Sequence, residues 1–475
     1  MNSPAASSAF SRRGIPPAAI LTSLGALALL TAALLGSSSP TSPTSVQVSA
    51  VLSVCIAPVA TLSYLFMAGE PVEYFLLTPA GIVLMYLWTA LLTVPVLWLF
   101  GLATPWVTFP IASTTTILLT GCGLTAIVSF GAYASRSKPG FAPSLDTTGK
   151  PLLAVALATL ILGLSAGFVS VRVGGFSFLL QNLLEKRDIL AGLGPFTALA
   201  ATGAVAAVFV AQLRRPTRAL VFFGVISGLM YASYLFAMGS RFPLLAFLLA
   251  PIVARTAQGR TPRKALVALL AAIIPFSVWY SVVVRKGQEL TEQTPGLSGD
   301  IRRVVDPFVY GGVDVIHTYG VVTQAQDRAF GFDAQTLLAN LTTMLPTFLW
   351  PSKPSGLSVR FSEQYFSTAW SGGSGVPPSI LAELLHLYGT AGACIAALVV
   401  GFLLSRLGSL RASRELFVRL LFPFLTVDSF VLAKSGTDAF FQQLTLHAIG
   451  SLIFVVLLRL TGTHIKMEHP NDQTY

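Results

Sequence analysis

The sequence predicts an all-α polytopic membrane protein with about 12 transmembrane helices and one long external loop before the tenth. Three observations lead to this prediction. Charged residues make up only 10% of the 475 residues, whereas an average soluble chain carries about 25%. The mean hydropathy is +0.74. The apolar residues are gathered into runs of about 20, the length that a helix needs to cross a bilayer. This composition excludes a soluble enzyme and a disordered chain, and residues 1–475 are predicted to form a single integral membrane domain.

Twelve apolar runs are the candidate spans. They lie near residues 16–36, 46–67, 78–100, 110–134, 151–171, 194–213, 219–239, 242–254, 265–284, 379–405, 416–433 and 439–460. The eighth run is short, so that a re-entrant helix is an alternative there. The first run resembles a signal peptide, but eleven more runs follow it, and we therefore expect an uncleaved first helix.

The distribution of charge predicts the orientation. The chain carries 30 Lys and Arg against 19 Asp and Glu, and in a membrane protein such an excess reports topology, because cytoplasmic loops retain basic residues. It is not taken as a sign of nucleic-acid binding. The loops 214–218 and 255–264 are dense in arginine, whereas the loops 37–47 and 101–108 carry no charge. Both termini are therefore predicted to be cytoplasmic, and the short eighth run is predicted to cross.

Two predicted external loops, 172–193 and 285–378, carry basic residues on the side where the insertion bias disfavours them. The first contains Arg187, and the second contains Arg303, Lys353 and Arg360. Two interpretations stand side by side. The basic residues form salt bridges with neighbouring acids, or they bind an anionic substrate at the outer face.

Arg241 and Trp350 mark the first two candidate sites. Arg241 stands in Gly239-Ser240-Arg241 before the eighth run, where an arginine either snorkels to lipid phosphate or binds a substrate phosphate with its planar fork. Trp350 lies in the proline-rich segment that also holds Lys353 between two prolines. This segment is either a rigid clip at the membrane interface or a surface on which a sugar stacks and an anion binds.

The start of the tenth run is the third candidate site. Ser379 is a predicted helix N-cap, and Glu383 follows four residues later, one more than the capping box requires. Glu383 either interacts with the positive end of the helix dipole or acts as a general base or an anchor for a sugar hydroxyl. His386 shares that helix face and is either a packed histidine or a substrate contact. Farther on, Asp428, Lys434 and Asp438 can pair with one another, and His447 is predicted to be structural.

The sequence contains no catalytic motif typical of soluble enzymes. The three cysteines show neither a disulfide framework nor metal-ligand spacing, no paired His/Cys metal motif is present, and no Walker A loop is present to support ATP-driven transport. The sequence therefore predicts no metal site.

The layout and these three candidate sites resemble the bacterial O-antigen polymerase (Wzy-type) family, the oligosaccharide repeat unit polymerases. The resemblance rests on Gly239-Ser240-Arg241, on the 345–354 segment with Trp350, and on the stretch from Pro378-Ser379 through Glu383 to Gly389 and Gly392. The segment 185–188 also resembles the basic outer loop of the family.

This resemblance implies a glycosyltransferase in the bacterial cytoplasmic (inner) membrane that polymerises repeat units linked through diphosphate to a polyprenyl lipid. It implies no cofactor, and it implies a flippase and a chain-length regulator as partners. Arg241 and Arg187 would stabilise the departing diphosphate, with Arg303, Arg360 and Lys353 as further choices, and Glu383 would take the proton from the attacking hydroxyl. Trp350 and His386 would contact the substrate.

Three other functions remain open on the sequence. An O-antigen ligase would use the same donor with another acceptor, and the sequence hardly separates the two. A lipid-glycan or solute transporter would be expected to show inverted repeats and charges at the membrane midplane. A non-catalytic assembly subunit would tolerate the loss of Arg241 and Glu383 together.

Overall fold

The computed structural model describes residues 77–99, 111–135, 141–181, 189–190, 192–239, 241–260, 264, 315–325, 338–339, 350, 354–367 and 375–468. Within these ranges the helices are α1 (Pro79–Leu99), α2 (Ile111–Ala134), α3 (Pro151–Arg172), α4 (Phe176–Gln181), α5 (Gly194–Gln212), α6 (Arg218–Ala237), α7 (Arg241–Ala257), α8 (Ile316–Gln324), α9 (Leu357–Tyr365), α10 (Ile380–Ser409) and α11 (Leu416–Leu460). The strands are β1 (Ser144–Thr148) and β2 (His464–Glu468).

The described helices confirm a helical membrane protein. Six of them are long and apolar enough to cross a membrane: α2, α3, α5, α6, α10 and α11. Helices α1 and α7 are also apolar, although their described apolar stretches are shorter. Helix α7 matches the short eighth run, and Pro243 lies in its first turn, where proline is tolerated. The predicted runs near 16–36, 46–67 and 265–284 lie outside the described residues.

A two-stranded sheet, which the sequence analysis did not predict, ties one end of the bundle together. Strands β1 and β2 are antiparallel, with Ser144 opposite Glu468. Two backbone hydrogen bonds join this sheet region to the ends of α5 and α7. Arg214 N–H, just after α5, donates to Leu145 O at 3.0 Å, and Ala142 N–H donates to Ala257 O at 2.8 Å. We call this end the basic end, since the chain places these cations there: Lys150, Arg214, Arg215, Arg218, Arg255, Arg260, Arg459 and Lys466.

A proline in α11 explains a polar contact at the basic end. Pro423 has no N–H, so the carbonyl of Arg419 lacks its normal helical donor. The side-chain amide of Gln212 supplies that donor at 3.1 Å. Gln258 in turn donates to the carbonyl of Gln212 at 2.7 Å. The ends of α5, α7 and α11 are thereby joined by hydrogen bonds.

Helix α11 is two helices that fold back on each other at Gly436. Asp428 and His447 are 19 positions apart, which in a straight helix is about 28 Å, yet His447 Nδ1 lies 2.8 Å from Asp428 Oδ2. The reversal occurs at Gly436, which has φ 78° and ψ −173°, a conformation that only glycine adopts readily. The two arms are residues 416–435 and 437–460. This geometry agrees with the two separate spans predicted from the sequence.

Helix α10 is broken in a similar way, which the sequence analysis did not foresee. Gly389 has φ 63° and ψ −177°, close to the values at Gly436, and divides α10 into residues 380–388 and 390–409. The predicted run 379–405 coincides with an apolar helix long enough to cross a membrane, and the break at Gly389 is a feature within it. Because the apolar run continues through Gly389, hydropathy alone carries no sign of the break.

Small residues let α2 and α10 pack with their backbones in contact. A Cβ added to Gly401 would lie 2.1 Å from the carbonyl oxygen of Val128, and one added to Gly131 would lie 2.3 Å from that of Leu398. Membrane helices associate closely through such small residues, because lipid provides no hydrophobic driving force between helices. The contact holds the longer part of α10 against α2.

Gly401→Ala is therefore expected to destabilise the protein, because the backbone of α2 has to move away. Overpacking of this kind costs about 1–3 kcal/mol, which would appear as a lower midpoint of thermal unfolding in detergent. Gly167→Ala in α3 is the control, since a Cβ there meets nothing within 4 Å. Equal midpoints for the two variants would contradict the close approach of α2 and α10.

Candidate functional site

Three segments meet at the Gly436 turn, at the end of α11 away from the basic end. They are helix α9, the first turns of α10, and the start of the second arm of α11. Their polar side chains form a group that we call the apex cluster: Ser358, Tyr365, Glu383, His386, Thr437 and Asp438. Hydrogen bonds join these residues in three pairs, and each pair connects two of the segments.

Glu383 is held by the start of the second arm of α11. Its Oε2 accepts from the backbone N–H of Thr437 at 2.7 Å, and its Oε1 accepts from Thr437 Oγ1 at 2.5 Å. The first N–H groups of a helix have no partner within that helix and carry partial positive charge. The Glu383 carboxylate therefore caps the second arm, although it belongs to another helix, and its side chain is buried.

Asp438 caps helix α9 in the same manner. Its carboxylate accepts from Ser358 N–H at 3.0 Å and from Ser358 Oγ at 2.6 Å. The residue before α9 is Gly356, which supplies no side-chain cap. Asp438 supplies that cap from α11, and α9 is thereby fixed to the Gly436 turn.

His386 connects α10 to the other end of α9. Its Nδ1 lies 3.1 Å from Tyr365 Oη, and the Phe361 ring packs edge-on against the imidazole with centroids 6.0 Å apart. Desolvation by partial burial raises the pKa of the Tyr365 phenol. The phenol therefore keeps its proton near neutral pH and is able to donate it to His386.

The start of α10 is itself anchored. Ser379 Oγ accepts from Ala382 N–H at 3.3 Å, which confirms the predicted N-cap. Thr318 of α8 donates to Ser379 Oγ at 3.2 Å, and Ser362 of α9 bonds to both backbone groups of Val376. These contacts hold the start of α10, which carries Glu383 and His386, against α8 on one side and against α9 on the other.

Among the residues predicted from the sequence, Glu383 and His386 lie together in the apex cluster. Arg360 is a half-buried residue of α9, between Ser358 and Tyr365, and makes contacts of its own. Trp350 is half-buried. Arg241 is the first residue of α7, and its backbone alone is described. Arg187, Arg303 and Lys353 lie outside the described residues.

Sequence reasoning missed the roles of Thr437 and Ser358. A signal for the first was present, because Gly436-Thr437-Asp438 has the glycine and the polar residues that are typical where one helix ends and another begins. No comparable signal links Ser358 to Asp438, since they are 80 positions apart.

The apex cluster brings together groups that can exchange protons: two carboxylates, one imidazole and three hydroxyl groups. A carboxylate has about four lone-pair sites, and Thr437 occupies two of those on Glu383, so the others remain able to accept a proton. Within the described ranges, no three His, Cys, Asp or Glu side chains are placed to share a metal ion.

Comparisons with protein-family models, with curated proteins and with solved structures found no match.

Proposed function

We propose that the protein is a membrane glycosyltransferase that polymerises polyprenyl-diphosphate-linked oligosaccharide repeat units at the outer face of the bacterial cytoplasmic membrane. One observation carries the proposal. Glu383 and His386, which were selected from the sequence as site residues, converge with the helix that bears Arg360. They do so away from the basic end, and the positive-inside rule makes the basic end cytoplasmic. The proposal includes about 12 spans with both termini in the cytoplasm.

In the proposed reaction, a hydroxyl of the acceptor repeat unit attacks the anomeric carbon of the donor glycan. The bond from that carbon to the diphosphate oxygen breaks, a glycosidic bond forms, and polyprenyl diphosphate leaves with the bonding electrons. Glu383 takes the proton from the attacking hydroxyl, a role that suits a fixed carboxylate. Arg241, Arg187, Arg303, Arg360 and Lys353 are the proposed cations that stabilise the departing diphosphate.

The remaining parts of the proposal follow from the same reaction. Trp350 and His386 are proposed to contact the sugars, since an aromatic face is suited to stacking on a sugar ring. A flippase would deliver the lipid-linked repeat unit to the outer face, and a chain-length regulator would act on the growing product. No cofactor is needed, because the diphosphate leaving group already activates the donor.

The test of the proposal is reconstitution with polyprenyl-diphosphate-linked repeat units and analysis of product length on a gel. We expect a ladder of polymer with the wild-type protein and none with Arg241→Ala. Arg241→Lys should also be impaired, because lysine cannot make the bidentate contact of a guanidinium with phosphate. Arg215→Ala, which removes an exposed arginine at the basic end, is the control and should leave the ladder unchanged.

Normal chain length with Arg241→Ala would remove Arg241 from the mechanism. Transfer of the glycan to another acceptor without polymer growth would favour a ligase instead. No transfer by the wild-type protein would refute the glycosyltransferase proposal.

A transporter is a second candidate, and one observation favours it. Both α10 and α11 are broken at a glycine, and α11 carries the buried pair Asp428 and His447. Broken helices and ionisable groups inside the bundle are features of secondary transporters. Flux of lipid-linked glycan across a liposome membrane, without polymer formation, would support this candidate.

A further inference from the structure

The pair Asp428 and His447 lies outside the apex cluster, within the paired arms of α11. His447 Nδ1 is 2.8 Å from Asp428 Oδ2, and their side chains are 1% and 4% exposed, Asp428 being the less exposed. Asp428 is 12 residues from the start of α11 and His447 is 13 residues from its end. At 1.5 Å per residue, both lie about 18–20 Å from the basic end. The pair is therefore near the middle of the bundle.

An aromatic ring packs against this pair. The ring of Phe424 stacks on His447 with centroids 4.2 Å apart. From α6, Tyr231 is close enough to interact electrostatically with Asp428. The pair is therefore shielded from bulk water, and the Tyr231 phenol is within electrostatic range of its carboxylate.

A second phenol, that of Tyr234, lies between Tyr231 and the end of the bundle opposite the basic end. Tyr234 lies one turn farther along α6, and its ring centroid is 6.3 Å from that of Tyr231. Its hydroxyl is 3.1 Å from the Oγ1 of Thr197, near the start of α5. Thr197 is half-buried, so the hydrogen-bonded pair of Tyr234 and Thr197 reaches a partly exposed position.

Stability alone is a weak reason for such a pair. A buried ion pair is often no more stable than apolar residues of similar volume, because desolvation offsets the attraction between the charges. Ionisable residues inside membrane spans are instead frequent carriers of protons. A histidine changes its charge between about pH 5 and 8, so an aspartate and a histidine in contact can share one proton and accept a second.

We propose that Asp428 and His447 form a proton-binding site inside the bundle that exchanges protons with the outer aqueous phase through Tyr231, Tyr234 and Thr197. The proton taken up adds to the Asp428 carboxylate and leaves a neutral carboxylic acid beside the imidazolium of His447. Each hydroxyl of the series accepts one proton and releases its own, so no other reactant is consumed. This site is independent of glycosyl transfer at the apex cluster.

The test is infrared difference spectroscopy of the protein in lipid nanodiscs between neutral and acidic pH. We expect acidification to produce the C=O absorption of buried carboxylic acids, and Asp428→Asn to remove the band that persists in Glu383→Gln. Asp146→Asn, which removes a carboxylate from strand β1 opposite Lys466, is the matched control and should keep it. Identical wild-type and Asp428→Asn spectra would overturn the proposal.

Two further variants keep the proposal testable if Asp428→Asn does not fold. His447→Gln removes the imidazole that binds the carboxylate, so the frequency of the band should change. Tyr231→Phe removes a single hydroxyl, and it should slow the growth of the band after a sudden drop in external pH. An unchanged band in both variants would overturn the proposal equally.

Discussion

Glu383→Gln is expected to abolish polymer formation while the protein keeps its fold. A glutamine fits this position, because its Oε1 can accept from the Thr437 N–H while its amide donates to the Thr437 hydroxyl, which is free to rotate. The two hydrogen bonds that hold the second arm of α11 are therefore kept, and the proton-accepting carboxylate is lost. Loss of a general base lowers the rate by about 10²–10⁴-fold. Polymer yield in the reconstituted assay and the midpoint of thermal unfolding are the two measurements.

Glu383→Ala is the informative partner of this variant. It removes the hydrogen bonds as well as the base, and each buried group left unsatisfied costs about 1–3 kcal/mol, so both the polymer yield and the midpoint should fall. Thr437→Val should lower the midpoint by a smaller amount, because the backbone N–H still donates to Glu383. Full activity of Glu383→Gln would show that Glu383 only holds the two helices together, and the catalytic base would then have to be another residue.

Gly436→Ala is expected to have the largest effect on the fold of the apex cluster. Alanine at a φ of 78° and a ψ of −173° would occupy a region that is essentially restricted to glycine, at a cost of about 1–3 kcal/mol. Its Cβ would also lie 2.4 Å from Glu383 Oε2 and 3.1 Å from the carbonyl oxygen of Pro378. The carboxylate would have to leave its position beside Thr437, and both the unfolding midpoint and the polymer yield should fall.

Gly389→Ala provides a matched control for the strain. Gly389 has nearly the same dihedral angles, but a Cβ there meets nothing within 4 Å, so only the backbone strain of about 1–3 kcal/mol applies. The difference between the two variants measures what contact with Glu383 contributes. Equal losses of stability would mean that Glu383 moves aside without cost, which contradicts a rigid apex cluster.

The two turns explain how a bundle of apolar helices can place polar groups together. At Gly436, the reversal exposes the first N–H groups of the second arm, and a carboxylate from α10 binds them. One residue later, Asp438 binds the first turn of α9. A helix end inside a membrane protein leaves backbone groups that need partners, and here those partners are the residues proposed for chemistry.

The sequence by itself determined the class of protein, the helical spans within the described ranges and the N-cap at Ser379. These features depend on local composition, since a run of apolar residues crosses lipid wherever it stands and a serine caps the helix that follows it. The sequence also singled out Glu383 and His386, because ionisable residues are rare in apolar runs.

Only the tertiary structure decided which residues meet. The carboxylate of Glu383 binds Thr437 at a distance of 54 positions in the chain, and Asp428 binds His447 at a distance of 19 positions. The pairing of β1 with β2 also joins residues far apart in the sequence. Such contacts arise when helices reverse direction and pack against one another. Hydropathy is a local property of the chain, so it does not determine which helices meet.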